Sequence, residues 1–290
     1  MANEWRINEQ DELLKFLYKA LSGKSRNSVK SILSRGQVVL NGKVTTQFNE
    51  KLQPGDKVQI KNRVVPEDVK LRGVEIVYED EDLMVVEKAA GLLTIATDTE
   101  KQATAYRELT YYLRRTQPKR QLFIVHRLDR DTSGLLIFAK NKETQQALQN
   151  AWKENVKERT YLALVEGHVA KDGTISSWLT EGKGPAHKMH SSQKDNGGKK
   201  AITHYKVAKA SRDMSLLEVN LETGRKNQIR VHMQDIGHPV VGDKKYGARL
   251  NPLRRLGLHA YAISFVHPKT GKTLRFESDV PKDFLKMFFG

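Results

Sequence analysis

LFIVHRLDRDTSGLLIFAK, residues 122 to 140, carries an apolar run, a charged stretch from His126 to Asp131, and a second apolar run, GLLIFA. Short apolar runs rich in β-branched and aromatic residues, bounded by polar clusters, read as strands. The stretch therefore predicts two strands joined by a charged loop. Such loops at strand ends commonly present catalytic groups. An ordinary salt-bridged turn is the other reading, and the residues alone leave both open.

Outward from this stretch, strand-like runs recur. VEIVYEDEDLMVVEKAAG reads as two strands around an acidic turn, and TYLALVEG, THYKVAKA, SLLEVNLET and LHAYAISFV follow. Helical patterns fall at Lys142 to Glu154 and at Lys226 to Ile236. Strands with interspersed helices predict an α+β architecture on a mixed, largely antiparallel sheet. Glu181 to Lys200, rich in Gly, Ser and Lys, predicts a mobile surface loop.

The first 64 residues read differently, as a compact ααβ module. Leu14, Leu17, Tyr18 and Leu21 recur at helical spacing and Gly23 follows as a stop. Ser25 is placed to cap a second helix with an apolar stripe of Val29, Ile32 and Leu33, ended by Gly36. Asn41-Gly42 between VVL and KVTT is a strong hairpin signal, because both residues tolerate positive φ. A further turn is expected at Pro54-Gly55. The expected division is 1–64 for the module, 65–73 for a linker and 74–290 for the larger domain.

The chain has 290 residues, 50 Lys and Arg against 34 Asp and Glu, and a formal net charge of +16. That excess favours an anionic partner, nucleic acid being the commonest. Residues 1 to 65 hold 12 basic and 6 acidic residues, a net of +6 in a small module. The absence of cysteine excludes disulfides, thiol catalysis and cysteine-ligated metals. His187, His190, His232 and His238 match no metal-ligand spacing, and no phosphate-binding glycine loop is present. With no signal-like N-terminus and no run of 18 apolar residues, a cytoplasmic protein without a membrane segment is expected.

HRLD followed by two residues and TSG resembles the signature of the RluA-type pseudouridine synthases, and further blocks extend the likeness. KERTYLALVEG, TGRKNQIRVHMQDIGHPVVGDKKYG (residues 223 to 247), KKAITHY and LGLHAYAISFVHP bring it to most of residues 74 to 281. SRNSVKSILSRGQVVLNGKV with the later PGDKV is similar to the small RNA-binding domain of ribosomal protein S-four. The resemblance implies a cofactor-free and metal-free isomerase that converts uridine to pseudouridine in structured RNA. It implies Asp129 as the catalytic carboxylate, Arg230 as its partner in a bidentate clamp that keeps it ionised, and Tyr161 stacked on the flipped uracil.

The same resemblance assigns Arg127 to the space the base vacates, and His126, Thr132, Arg225 and Gln228, within the matched blocks, to substrate binding. Lys24, Arg26, Lys30 and Arg35 are the expected RNA contacts of the N-terminal module. Large-subunit ribosomal RNA is the expected target, with transfer RNA as the alternative, and the protein is expected to act as a monomer. A non-catalytic RNA-binding or ribosome-assembly protein of the same fold is the rival reading; the presence of all three catalytic residue types favours the enzyme. Two departures stand out. Ala89 replaces the usual proline of KPAG and Asn227 the usual histidine of the second block, and neither is expected to touch Asp129, Tyr161 or Arg230.

Overall fold

The computed structural model describes residues 3–34, 37–60, 71–98, 100–184 and 187–288. Residues 65–70 of the expected linker, the helix terminator Gly36 and Arg35 lie outside the described residues.

The N-terminal part runs β1 (Asn3–Arg6), β2 (Asp11–Glu12), α1 (Leu13–Ala20), α2 (Arg26–Ser34), β3 (Val38–Leu40), β4 (Lys43–Thr45), β5 (Lys51–Leu52) and β6 (Lys57–Ile60). Leu13, Leu17, Leu21, Val29, Leu33, Val38, Leu52, Val58 and Ile60 bury into one core. The two helices form as their spacing predicts, and Ser25 Oγ accepts the Ser28 N–H at 3.2 Å to cap the second. Asn41 and Gly42 both have positive φ, 49° and 85°, and turn β3 into β4. Three strands were not foreseen, β1 and the two-residue β2 and β5, which pair with each other. β1 precedes the helices and pairs antiparallel with β6, giving the order β1-β6-β3-β4. Its apolar content is one residue, Trp5, which meets Phe16 edge-on at 6.0 Å, too little to register as a strand pattern.

The larger part is built on an 11-stranded sheet. In chain order it comprises β7 (Val74–Glu79), β8 (Leu83–Lys88), α3 (Ala105–Thr116), β9 (Phe123–Ile124), β10 (Ser133–Ala139), α4 (Lys142–Asn150), α5 (Trp152–Asn155) and β11 (Val156–Glu166). It continues with β12 (Gly173–Glu181), β13 (Met189–Ser192), β14 (Lys199–Ala210), β15 (Met214–Leu221), α6 (Gln228–Asp235), a 3-10 turn (Lys244–Tyr246), β16 (Leu258–Val266), β17 (Thr273–Glu277) and α7 (Lys282–Lys286). The strand order is β13-β12-β14-β15-β11-β16-β10-β8-β7, with β17 on β16 and β9 on β10. Among the described residues only the β10–β16 strand pairing is parallel, so the mixed, largely antiparallel sheet is observed.

Two core clusters matter for the site. Helix α3 lays Ala105, Leu109, Tyr112 and Leu113 against Ile76, Met84, Val86, Leu128 and Phe138. Helix α6 lays Ile229 and Met233 against Ala163, Val165, Leu217 and Val219. Tyr161 packs against both clusters.

The segment from Glu181 to Lys200 corrects the expectation of a loop. Within it β13 pairs with β12 from Trp178↔Ser192 to Glu181↔Met189. Met189 is buried with Leu179, Val231 and Tyr246. A single buried side chain anchors this hairpin, so its polar composition concealed it; residues 185 and 186 lie outside the described residues.

Candidate active site

Asp129 sits in the loop that enters β10, and that loop is fastened on both sides. Thr94 Oγ1 donates to Leu128 O at 2.8 Å and accepts the Leu128 N–H at 3.2 Å. Arg130 O accepts the fully buried Lys88 ammonium and the Gly91 N–H, each at 3.0 Å. Lys88 Nζ also reaches Ala89 O and Leu92 O, and burial brings its pKa down to about 8, with Asp131 and Asp129 opposing. Ala89, the first departure, donates its N–H to Gly73 O at 2.9 Å, a bond that a proline there would lack.

The tyrosine arrives through sheet register. Gly134 of β10 is in register with Ala260 of β16, and Ala260 with Tyr161 of β11. A register shift between Thr160 and Tyr161 marks a bulge beside the site, a device that re-aims side chains. Gly134 has φ 108°, and a Cβ on it would lie 2.2 Å from Ala260 O, so the glycine is what lets β10 and β16 approach. Burial raises the Tyr161 pKa, opposed by the Arg159 charge and reinforced by Asp129, so the phenol keeps its proton.

Arg230, on α6, donates from Nη1 to Asp129 Oδ2 at 3.2 Å. The expected bidentate clamp is real but directed elsewhere: Nε and Nη2 grip Asp243 Oδ2 and Oδ1 at 2.6 and 2.8 Å. Asp243, with a side chain 1% exposed, can form a dry fork, whereas Asp129 is 36% exposed and takes only the remaining donor. Burial works against the Arg230 charge, but Asp243 and then Asp129 outweigh it and raise its pKa. Asn227 also corrects the expectation, because its Nδ2 donates to Asp129 Oδ2 at 2.6 Å.

Asp129, Tyr161, Asn227 and Arg230 line a cavity of about 510 Å³ with His126, Arg127, Thr132, Trp152, Arg159, Arg225 and Gln228. That size falls within the ~300–1,000 Å³ common for small-molecule sites. Arg127 stands exposed at its rim, and no hydrogen bond or ion pair holds it among the described residues. The neighbouring Asp131 pairs with Arg130 at 3.1 Å. Thr132 is 2% exposed and closes the turn by donating its N–H to Asp129 O at 3.2 Å. Arg225 Nε is held by Lys200 O at 3.0 Å.

Gln228 differs from the substrate contact expected, whereas His126 lines the cavity and also braces the loop. His126 Nε2 accepts the Ile137 N–H at 3.1 Å, the ring lies 4.9 Å from that of Trp152, and burial pushes its pKa down to about 3. It is a neutral brace behind the loop. Gln228, 2% exposed, accepts from Thr223 Oγ1 and Arg225 N and donates to Ile202 O and Thr203 Oγ1, leaving no amide valence for a ligand. Arg159 went unforeseen. Its guanidinium bonds Leu221 O at 3.0 Å, and its Nη1 lies 2.7 Å from where a Cβ on Gly224 would stand.

A second cleft, of about 590 Å³, lies behind Ser133 and lacks Asp129. Asp80, Asp82 and His267 are close enough to suggest a metal, yet they serve internal bonds: Asp80 Oδ2 accepts from Tyr78 Oη and His267 Nε2, and Asp82 Oδ1 from Asn141 Nδ2. On the N-terminal module Lys24, Arg26 and Lys30 are all exposed, with Arg26 5.7 Å from the Tyr18 ring centre. No helix among the described residues is long and apolar enough to cross a membrane.

Residues 82–235 match the family model described as RNA pseudouridylate synthase, and residues 13–58 match the S4 domain. The chain belongs to the RNA pseudouridine synthases. The synthase is 36% identical to the uncharacterized RNA pseudouridine synthase YlyB of Bacillus subtilis over 96% of this chain and 93% of that one. It is 32% identical to ribosomal large subunit pseudouridine synthase D of Escherichia coli K12, covering 91% of this chain and 85% of the relative. Among solved structures, human RNA pseudouridylate synthase domain containing 1 aligns with TM-score 0.59 and 30% identity over 75% of the synthase and 87% of that chain. The synthase is thus an isomerase acting on RNA, with an N-terminal RNA-binding domain.

Proposed function

We propose that this synthase converts uridine to pseudouridine in large-subunit ribosomal RNA, with Asp129 as the essential carboxylate. The observation that carries the reading is the half-exposed Asp129 carboxylate, fixed by two donors at the cavity that Tyr161 and Arg159 also line. The reaction breaks the N1–C1′ bond, turns the base and forms C5–C1′, with the C5 proton lost and N1 gaining one. It is redox-neutral and asks for a nucleophilic or charge-stabilising carboxylate and a means to hold the detached base. Asp129 supplies the first, paired with a guanidinium that cannot be neutralised by water at any ordinary pH.

Extruding a stacked base costs a few kcal/mol. Arg127, exposed at the rim, is placed to fill the gap in the RNA stack, and the Tyr161 ring to pack on the extruded uracil. Arg225 contributes a second cation at the rim. The N-terminal domain adds sequence-independent affinity through phosphate contacts from Lys24, Arg26 and Lys30, a role also assigned to Arg35. The ribosomal target draws on relatives named as ribosomal large subunit synthases.

The test is carbodiimide mapping of pseudouridine in RNA from cells lacking the protein and from cells restored with wild type or Asp129→Asn. Sites in large-subunit RNA that vanish and return only with wild type are expected. Sites in transfer RNA would move the target, and restoration by Asp129→Asn would remove Asp129 from the mechanism.

A further inference from the structure

We propose that Asn227 and Tyr246 are positioning residues that fix one oxygen of Asp129 and leave the other, Oδ1, to react. This rests on Asp129 being the reacting carboxylate. Both donors found at Asp129, Asn227 Nδ2 at 2.6 Å and Arg230 Nη1 at 3.2 Å, go to Oδ2. Oδ1 receives no donor among the described residues and lies in the carboxylate that lines the cavity.

Asn227 is itself held. Its Oδ1 accepts from Tyr246 Oη at 3.2 Å, and Tyr246 Oη in turn accepts the Met189 N–H at 3.0 Å. The polarity of this line is dictated by chemistry. An ionised carboxylate only accepts, so the amide NH₂ must face Asp129 and its carbonyl must face Tyr246; the phenol donates its only proton there and has a lone pair left for Met189. Tyr246 is fully buried, and the cations of Arg230, Lys188 and Lys245 lie 5.0, 5.2 and 5.9 Å from its ring centre. A rigid phenol therefore orients an amide, which orients a carboxylate. A neutral donor does this without adding a second full charge against the carboxylate, so Asp129 is not paired on both sides.

The line also reaches an unexpected place. Met189 opens β13, so the hairpin that departs farthest from the sequence expectation is joined to the reacting group through three hydrogen bonds.

Asn227 has a second reason to be there, its backbone, which is left-handed, φ 53° and ψ 21°, a conformation that asparagine tolerates and most residues do not. Asn227→Gly separates the two, because glycine keeps the backbone freedom and deletes the amide. Tyr246→Phe keeps the ring and deletes the proton.

Turnover is read as tritium released from a large-subunit ribosomal RNA transcript labelled at uridine C5. Asn227→Gly is expected to lower kcat at least tenfold with KM within twofold and the melting temperature nearly unchanged. Tyr246→Phe is expected to lower kcat in the same sense, and the double variant to lose no more than Asn227→Gly alone, as for residues acting in one line. A wild-type kcat in Asn227→Gly, or losses that simply multiply in the double variant, overturns the proposal. A second readout needs no RNA. In protein labelled with ¹⁵N-asparagine, the Asn227 side-chain amide should exchange with solvent at least tenfold more slowly than exposed asparagines, and Asp129→Ala should abolish that protection. Protection in a protein that releases no tritium would support the contact while sinking the Asp129 reading on which it rests. An Asn227 amide that exchanges freely, or is indifferent to Asp129→Ala, overturns the positioning role itself.

Discussion

At the scale of single residues, the site is governed by which acid a guanidinium can grip without water. Arg230 gives its fork to Asp243 and one remaining N–H to Asp129. Removing one member of a buried ion pair leaves the other charged and unpartnered, at a cost of ~3–5 kcal/mol. Asp243→Ala is therefore expected to lower stability by about that much and to depress turnover, measured by urea denaturation alongside tritium release. An unchanged urea midpoint would mean that the fork holds nothing together. The signature blocks expose Asp129, Tyr161 and Arg230 because those residue types stand inside recognisable strings. Asp243, Asn227 and Arg159 stand in or beside the same strings, but their roles come from contacts the strings do not reveal: Asn227 meets Asp129 across 98 positions of chain. Gln228 was misread for the complementary reason. A polar residue in a motif suggests a ligand, and only its burial and filled valences show it serving the backbone.

At the scale of elements, Gly134 decides whether β10 can lie beside β16. A methyl group there would meet Ala260 backbone atoms at 2.2 to 2.8 Å, on a backbone with φ 108°. Gly134→Ala should cost at least ~2 kcal/mol, from left-handed strain and a clash that backbone cannot relieve by a rotamer change. A thermal melt checks it, and an unshifted melting temperature would show that the strands can separate freely. Most strands were legible because most buried positions in β7, β8, β10, β11, β15 and β16 are aliphatic or aromatic. Helix α3 escaped notice although Thr104 caps it, accepting the Arg107 N–H at 3.1 Å, and Ala105, Leu109 and Leu113 recur at four-residue spacing. Strand β12 also escaped, with Ile175, Ser177 and Leu179 buried in alternation. In each case a short polar background diluted a real period.

At the scale of the whole molecule, charge and buried histidines set the response to solution conditions. Charge-removing substitution of Lys24, Arg26 and Lys30 together should weaken RNA binding and flatten the plot of log K against log salt by up to about two to three units, roughly 0.7–0.9 for each phosphate no longer neutralised. An unchanged slope would place the phosphate contacts elsewhere. Burial pushes the pKa of His232 and His259 down to about 4 each. The unfolded chain takes up their protons below about pH 6.5, whereas the folded chain does so only near 4. Between those values the unfolded state binds more protons, so stability is full above 6.5 and falls as pH drops, by up to about 1.4 kcal/mol per unit for each group. Urea midpoints at pH 7 and pH 5 should differ in that sense, and the gap should shrink in His232→Gln/His259→Gln. The parallel pairing of β10 with β16 has a further consequence, one of timing. During synthesis the loop carrying Asp129 emerges early, but the strand that must lie between β10 and β11 is residues 258 to 266, so the centre of the sheet stays open until nearly the whole chain has left the ribosome. Pairing over such separations is slow to form. The RNA-binding domain, whose last described strand ends at Ile60, emerges some two hundred residues earlier, so in a growing chain the capacity to hold RNA is acquired well before the capacity to modify it.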